Sequence, residues 1–123
     1  MPSDAVLFER FVVLALAQAL VRKGYTVDWA HTPPSVREVD LIAYKASTTS
    51  TLMVEVKLAK RPADVTRLAK SARSGLRDFL GPNDKGYVLI GVAGTNDVFA
   101  DAELVRIVGP SLDELTLRPL KSI

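Results

Sequence analysis

Hydrophobic and polar positions follow one another along the chain in a pattern that predicts both helices and strands. Residues 4–23 are apolar on most faces of a helix, which predicts a largely buried helix. Ser3 or Asp4 supplies its N-cap, and Lys23-Gly24 supplies a basic last turn and a terminating glycine. Part of this helix is also a candidate dimer interface.

Strands and a second helix make up the middle of the chain. Period-two alternation predicts strands at 25–30 and 52–58. A further strand is predicted at 39–44, and the short polar turn at 46–50 makes the strands at 39–44 and 52–58 an antiparallel hairpin. A helix is predicted from Pro62 to Leu80, where Gly81-Pro82 ends it.

The nearly all-apolar segment 87–93 predicts a strand that is buried on both faces. A strand, a helix and a strand in this order require a right-handed parallel crossover. Beyond it we predict a short helix at 101–108 and an edge strand at 115–120, because Pro119 cannot donate to a ladder. The fold class is therefore α/β, with the order αβββαβ and a mixed central sheet flanked by helices.

The amino-acid composition excludes several kinds of metal site and catalytic site. The 123 residues suit one domain, so we expect 1–123 to be a single domain, by itself or within a larger protein. Cysteine is absent and His31 is the one histidine, which excludes cysteine-based zinc sites, thiol nucleophiles and two-histidine sites within the chain. A metal site would be built from oxygen ligands, which favours Mg²⁺ or Mn²⁺. His31 lies in a Pro-rich loop and is a weak candidate for a substrate contact.

Positive charge is concentrated in the middle of the sequence. Residues 55–80 carry seven Lys/Arg and three Asp/Glu, whereas residues 1–54 carry five of each and residues 81–123 carry four and six. The start of the chain lacks the positive charge of a signal peptide, and the apolar stretch 11–21 is too short to span a bilayer. We expect a soluble cytoplasmic protein with no membrane partner.

A small set of charged residues carries the candidate chemistry. Glu55 and Lys57 are two apart on a predicted strand and project from one face, while Asp40 begins the neighbouring strand. Two carboxylates about 4 Å apart repel by roughly 4 kcal/mol at an effective dielectric of about 20, and a divalent cation reverses that sign. Such a metal activates a water, which Lys57 can position or deprotonate, and the Val56 carbonyl is a further candidate ligand.

Asp40 followed by Glu55-Val56-Lys57 resembles the D…(D/E)xK signature of the PD-(D/E)XK phosphodiesterases, which include restriction endonucleases and Holliday-junction resolvases. The predicted αβββαβ order over residues 4–93 is similar to the restriction-endonuclease-like core. This resemblance implies that Asp40, Glu55 and Lys57 are catalytic and that Asp40 and Glu55 bind the metal. It also implies Glu9 as a further metal ligand, as in the resolvase-like branch. The chain departs from the pattern at Val39, where the motif's name has Pro, and in lacking a Gln on the second helix.

Basic residues of the second helix share one face. Four of them fall within about 120° at 100° per residue, next to an apolar arc that should pack on the sheet. Two more basic residues extend the patch toward the candidate site, so the candidate nucleic-acid contacts are Lys60, Arg61, Arg67, Lys70, Arg73 and Arg77. An ordinary solvated helix face is the alternative.

The expected function is a divalent-metal-dependent nuclease, most simply a DNA endonuclease of restriction or resolvase type acting as a homodimer or with a partner domain. The alternative is a catalytically silent nuclease-fold module that binds nucleic acid or protein. Single residues also have simpler interpretations: Glu55 and Lys57 as an ion pair on a solvated sheet face, Asp40 as a turn cap, and Glu9 as a helix surface residue. A chance spacing in an unrelated α/β protein is the third possibility.

Overall fold

The computed structural model describes residues 4–29 and 39–120. His31 lies outside these ranges. The described part contains three helices and seven strands, in the order α1 (Asp4–Arg22), β1 (Thr26–Trp29), β2 (Leu41–Tyr44), β3 (Thr51–Ala59), α2 (Val65–Arg77), β4 (Lys85–Val92), β5 (Asp97–Ala100), α3 (Ala102–Val108), β6 (Ser111–Leu112) and β7 (Leu115–Pro119). One turn of 3-10 helix, Pro62–Asp64, precedes α2. The first six of these elements have the predicted αβββαβ order.

The strands form one mixed sheet in the order β1-β2-β3-β4-β5-β7-β6. β2 pairs with β3 in antiparallel orientation and β3 pairs with β4 in parallel orientation, with α2 between them in sequence. The predicted hairpin and the predicted parallel pairing are therefore confirmed. β3 is long and has a partner strand on both sides, so its middle residues lie deep in the sheet.

Apolar side chains pack against both faces of this sheet. One buried cluster joins α1 and α3 to one face and includes Val54 and Val56, both 0% exposed. The other joins α2 to the opposite face and includes Val88 and Ile90, with Met53 packed against it. The predicted alternation of β3 is confirmed, since Val54 and Val56 face α1 whereas Met53 faces α2. In the described ranges, no helix is long and apolar enough to cross a membrane.

Two glycines shape the ends of α1. Gly24 follows the helix with φ +93°, a left-handed conformation that favours glycine, and the amide of Tyr25 bonds back to the carbonyl of Leu20 at 3.0 Å. Near the start of α1, the Phe8 ring lies so close to Gly91 of β4 that a Cβ at Gly91 would overlap it. The first turns of α1 are thereby held against the sheet.

The last third of the chain differs from the prediction in two respects. Residues 97–100 form β5, which was not predicted, and β7 lies between β5 and β6, so predicting an edge strand there was wrong. A tight turn through Asp113, with φ +54°, folds the two-residue strand β6 onto β7, where it pairs with Leu115 and Thr116. Pro119 is tolerated because it is the last residue of β7, where the strand ends beside Ala100.

Candidate functional site

Two residues that the sequence singled out, Glu55 and Lys57, share one face of the sheet, and a third, Asp40, lies at the edge of β3 beside them. Leu41, the first residue of β2, pairs with Val54 of β3. Asp40 comes just before β2, where the alternation is interrupted, because Val39 packs in the cluster of α2 and Leu41 packs in the cluster of α1. Side chains alternate along a strand, so Lys57 projects from the same face as Glu55. This face is the one that α2 covers.

Glu55 is the one charged residue among the buried side chains of the described part, at 5% exposure. The Nζ atom of Lys57 lies 4.0 Å from its Oε2 atom, and the Lys57 side chain is 38% exposed. A buried carboxylate is costly unless a charge or hydrogen bonds compensate it, and Lys57 supplies a compensating charge. The ammonium group therefore links a buried carboxylate to the solvent-accessible surface.

Asp40 is held by the backbone of β3. Its Oδ2 atom accepts a hydrogen bond of 2.7 Å from the amide of Val56, a residue that is 0% exposed. β2 begins one residue later, so the Asp40 side chain provides the acceptor that a longer β2 would have provided. Asp40 thus caps the edge of β3. In a ladder the amide and carbonyl of one residue point to the same side, so the Val56 carbonyl faces the same edge as Asp40.

The donor set suits a hard cation with few protein ligands. In residues 4–29 and 39–120, no group of three or more carboxylate or histidine side chains is close enough to hold a metal ion. Mg²⁺ is commonly held through one or two carboxylates and keeps several waters. Asp40, Glu55 and the Val56 carbonyl supply oxygen donors of the type that Mg²⁺ binds. Glu9 lies half-buried on α1, the helix on the opposite face of the sheet, and stays a prediction from the resemblance.

Five of the six predicted nucleic-acid contacts are exposed. Three of these five form no ion pair with another residue of the described part, namely Lys60, Lys70 and Arg77. The other two, Arg61 and Arg67, both contact Asp64, at 3.3 Å and 3.5 Å.

The pKa of the Asp64 carboxylate, which lies between these two arginines, is lowered. The hydrogen bond from Arg61 holds the pKa of Asp64 below its usual value of 3.8, and the positive charges of Arg61 and Arg67 act in the same direction. Asp64 therefore offsets part of the positive charge at the start of α2.

The sixth residue, Arg73, belongs to a network that the sequence did not predict. Its guanidinium contacts Oδ1 of Asp101 at 2.7 Å, and Oδ2 of Asp101 accepts the amide of Val88 at 2.8 Å. Asp101 stands at the N-cap of α3, but its side chain makes no capping bond there. Arg73 thus ties α2 to β4 and to the start of α3, which leaves its guanidinium engaged within the fold.

A strand–Asp–helix sequence is the usual signature of an N-cap, so no local signal pointed to the Arg73–Asp101 pair.

No family model matches the chain, and the comparisons with curated proteins and with solved structures gave no match. The functional argument therefore depends on the chemistry of the residues around Glu55.

Proposed function

We propose that the chain is a divalent-metal-dependent nuclease with a PD-(D/E)XK-type core, acting on DNA. The observation that carries this proposal is the buried Glu55, whose carboxylate has the Lys57 ammonium 4.0 Å away, together with Asp40, which is bonded to the amide of the next residue, Val56. A buried carboxylate in the middle of a sheet costs free energy that its partners have to compensate, and Lys57 is such a partner. Costly buried charges of this kind are frequent at functional sites.

In the proposed phosphodiester hydrolysis, the carboxylates bind the metal ion and the lysine acts on the water and the phosphate. Asp40, Glu55 and the Val56 carbonyl would hold Mg²⁺ or Mn²⁺, which polarises a phosphate oxygen and lowers the pKa of a bound water. Lys57 orients the attacking water and offsets the negative charge that grows on the phosphate. The bond between the Val56 amide and Asp40 fixes the angle at which that carboxylate is presented.

The exposed basic residues near the site are candidates for contacts with the phosphate backbone of DNA. Lys60 follows β3 directly, three residues beyond Lys57, while Lys70 and Arg77 project from α2. These three residues are the first candidates for phosphate contacts, because neutralising phosphates drives binding to nucleic acid. Arg73 is left out of the proposed contact surface because Asp101 engages it.

A binding module without turnover is the second candidate. It is favoured by the engagement of Asp40 with the Val56 amide and by the 5% exposure of Glu55, since both carboxylates then have roles within the fold. Such a module would bind nucleic acid through the same basic residues but would leave the phosphodiester intact.

Cleavage of end-labelled substrates distinguishes the two candidates. Wild type, Lys57→Ala and the matched control Lys85→Ala, at an exposed lysine that begins β4, would be compared in Mg²⁺, Mn²⁺ and EDTA on duplex, single-stranded and branched DNA and on RNA. We expect metal-dependent cleavage by wild type and by Lys85→Ala, with a loss of at least about 100-fold in Lys57→Ala. Binding without cleavage of any substrate would instead identify the module.

A further inference from the structure

Helix α1 carries a second apolar stripe on the side away from the sheet. Four large apolar side chains on this stripe are 42–56% exposed, namely Leu7, Phe11, Leu14 and Val21. With Gln18 they follow one another at steps of four, three, four and three residues. This is the spacing of a and d positions in a helix–helix seam, and we call these five residues the α1 seam.

The α1 seam is separate from the face that builds the core. Val12, Leu16 and Leu20 face the sheet and are 0% exposed, and they lie on the opposite side of the helix from Leu14. A groove runs along the seam between Leu14 and Val21, with the small residue Ala17 at its base. One helix thus presents apolar side chains to the sheet and also to its outer side.

We propose that the α1 seam is the interface of a homodimer in which the α1 helices of two copies pack antiparallel. A two-fold interface needs a self-complementary surface, and charge on α1 supplies the complementarity. Asp4 stands at one end of the helix, and Arg22 and Lys23 stand at the other. Antiparallel packing brings Asp4 of one copy near Arg22 of the second copy, whereas parallel packing would bring the two Asp4 carboxylates together.

The apolar residues also match in this arrangement. Phe11 of one copy lies level with Leu14 of the second copy, and Leu7 lies level with Gln18, beside the groove at Ala17. Seams of this kind place a side chain of one helix into a depression between four residues of the other. Gln18 is the one polar residue of the seam, and a single polar residue at such a position fixes the register. This inference does not rest on the proposed function.

Mass measured by sedimentation velocity over a range of concentrations tests the interface. We expect wild type to be a dimer, and Leu14→Arg to dissociate at least about tenfold more readily because it buries a charge at the centre of the seam. Tyr44→Arg is the matched control, since Tyr44 is 46% exposed on a different element, and it should remain dimeric. Circular dichroism would verify that both variants are folded. A wild type that stays monomeric, or a Leu14→Arg variant that stays dimeric, would overturn the proposal.

Disulfide trapping tests the orientation, and the chain has no cysteine of its own to interfere. Leu7→Cys and Gln18→Cys variants would be mixed, allowed to exchange subunits and oxidised. Antiparallel packing predicts a cross-link between the two variants, because a disulfide needs Cβ atoms about 3.5–4.5 Å apart. Cross-linking of Leu7→Cys to itself, with none between the variants, would show parallel packing and overturn the arrangement.

Discussion

Asp40 combines a structural contact with a proposed metal contact, and two substitutions separate them. Its Oδ2 atom accepts the amide of Val56, which is fully buried. Asp40→Ala leaves that amide without its acceptor, so we expect the free energy of unfolding to fall by about 1–3 kcal/mol. Asp40→Asn keeps an oxygen at the same place and should cost less, because the acceptor loses only its charge.

Both substitutions should abolish a thermal shift induced by Mn²⁺, since each removes a carboxylate from the proposed metal site. Chemical denaturation without metal would give the stability difference, and differential scanning fluorimetry with and without Mn²⁺ would give the metal response. A full Mn²⁺ shift in Asp40→Asn would show that this carboxylate does not hold the ion.

At the scale of single residues, the sequence predicted the face of the sheet on which a side chain lies better than it predicted which side chains form ion pairs. Alternation along one strand was enough to place Glu55 and Lys57 on the same face, because period two is a local property. The Arg73–Asp101 pair joins residues 28 apart, and it depends on how α2 lies across β4. Asp64 was also missed, although its spacing of three residues from both Arg61 and Arg67 is a local signal that could have been used.

At the scale of elements, the start of α2 carries a carboxylate that limits its positive charge. Asp64→Asn removes the partner of Arg61 and Arg67 and leaves both guanidinium groups available for phosphates. If the basic face binds DNA, we expect affinity to rise. We also expect the plot of log affinity against log salt to steepen by up to about two, at roughly 0.9 per added phosphate contact.

Fluorescence anisotropy on a short labelled duplex at several salt concentrations measures both quantities. Asp78→Asn is the matched control, because Asp78 is exposed at the other end of the same helix and forms no ion pair in the described part of the chain. An unchanged slope in Asp64→Asn would place the bound phosphates away from the start of α2.

The contact between Gly91 and Phe8 fixes α1 on the sheet near the position of Glu9. Gly91→Ala introduces a methyl group into the space of the Phe8 ring, so we expect a loss of about 1–3 kcal/mol of stability. In a Phe8→Ala background the same change should cost little. Denaturant unfolding of the four variants gives the coupling energy of this pair. Equal costs of Gly91→Ala in both backgrounds would show that the ring moves aside freely.

At the scale of the whole molecule, the sequence predicted the first six elements, the pairing of β3 with β2 and β4, and also α3 and β7, but it missed β5 and β6. Long amphipathic or apolar segments such as 52–58 and 62–80 carry their own periodicity. The strands at 97–100 and 111–112 have four and two residues, too few to show one. Their places in the sheet are set by contacts with the distant strands and helices of the first cluster, which no local pattern reports.

The last strands and α3 contribute buried residues to the same cluster as α1, β2 and β3. Val98, which is 0% exposed, lies in one buried cluster with α1 and the first three strands. Val98→Ala should therefore lower the free energy of unfolding of the whole chain by about 2 kcal/mol, from roughly 0.8 kcal/mol per methyl group and a cavity term. Val6→Ala is the matched control, because Val6 is 37% exposed, and its cost should stay within about 0.5 kcal/mol.

Unfolding followed by far-ultraviolet circular dichroism and by near-ultraviolet tyrosine signals tests whether this core is shared. We expect one transition by both probes, displaced as a unit in Val98→Ala, because the cluster joins α1 to β5 and α3. An early partial transition in Val98→Ala, with the remainder melting as in wild type, would mean that the residues after β4 form a separate layer. The candidate site would then depend on them only through the Arg73–Asp101 pair and the Asp101–Val88 hydrogen bond.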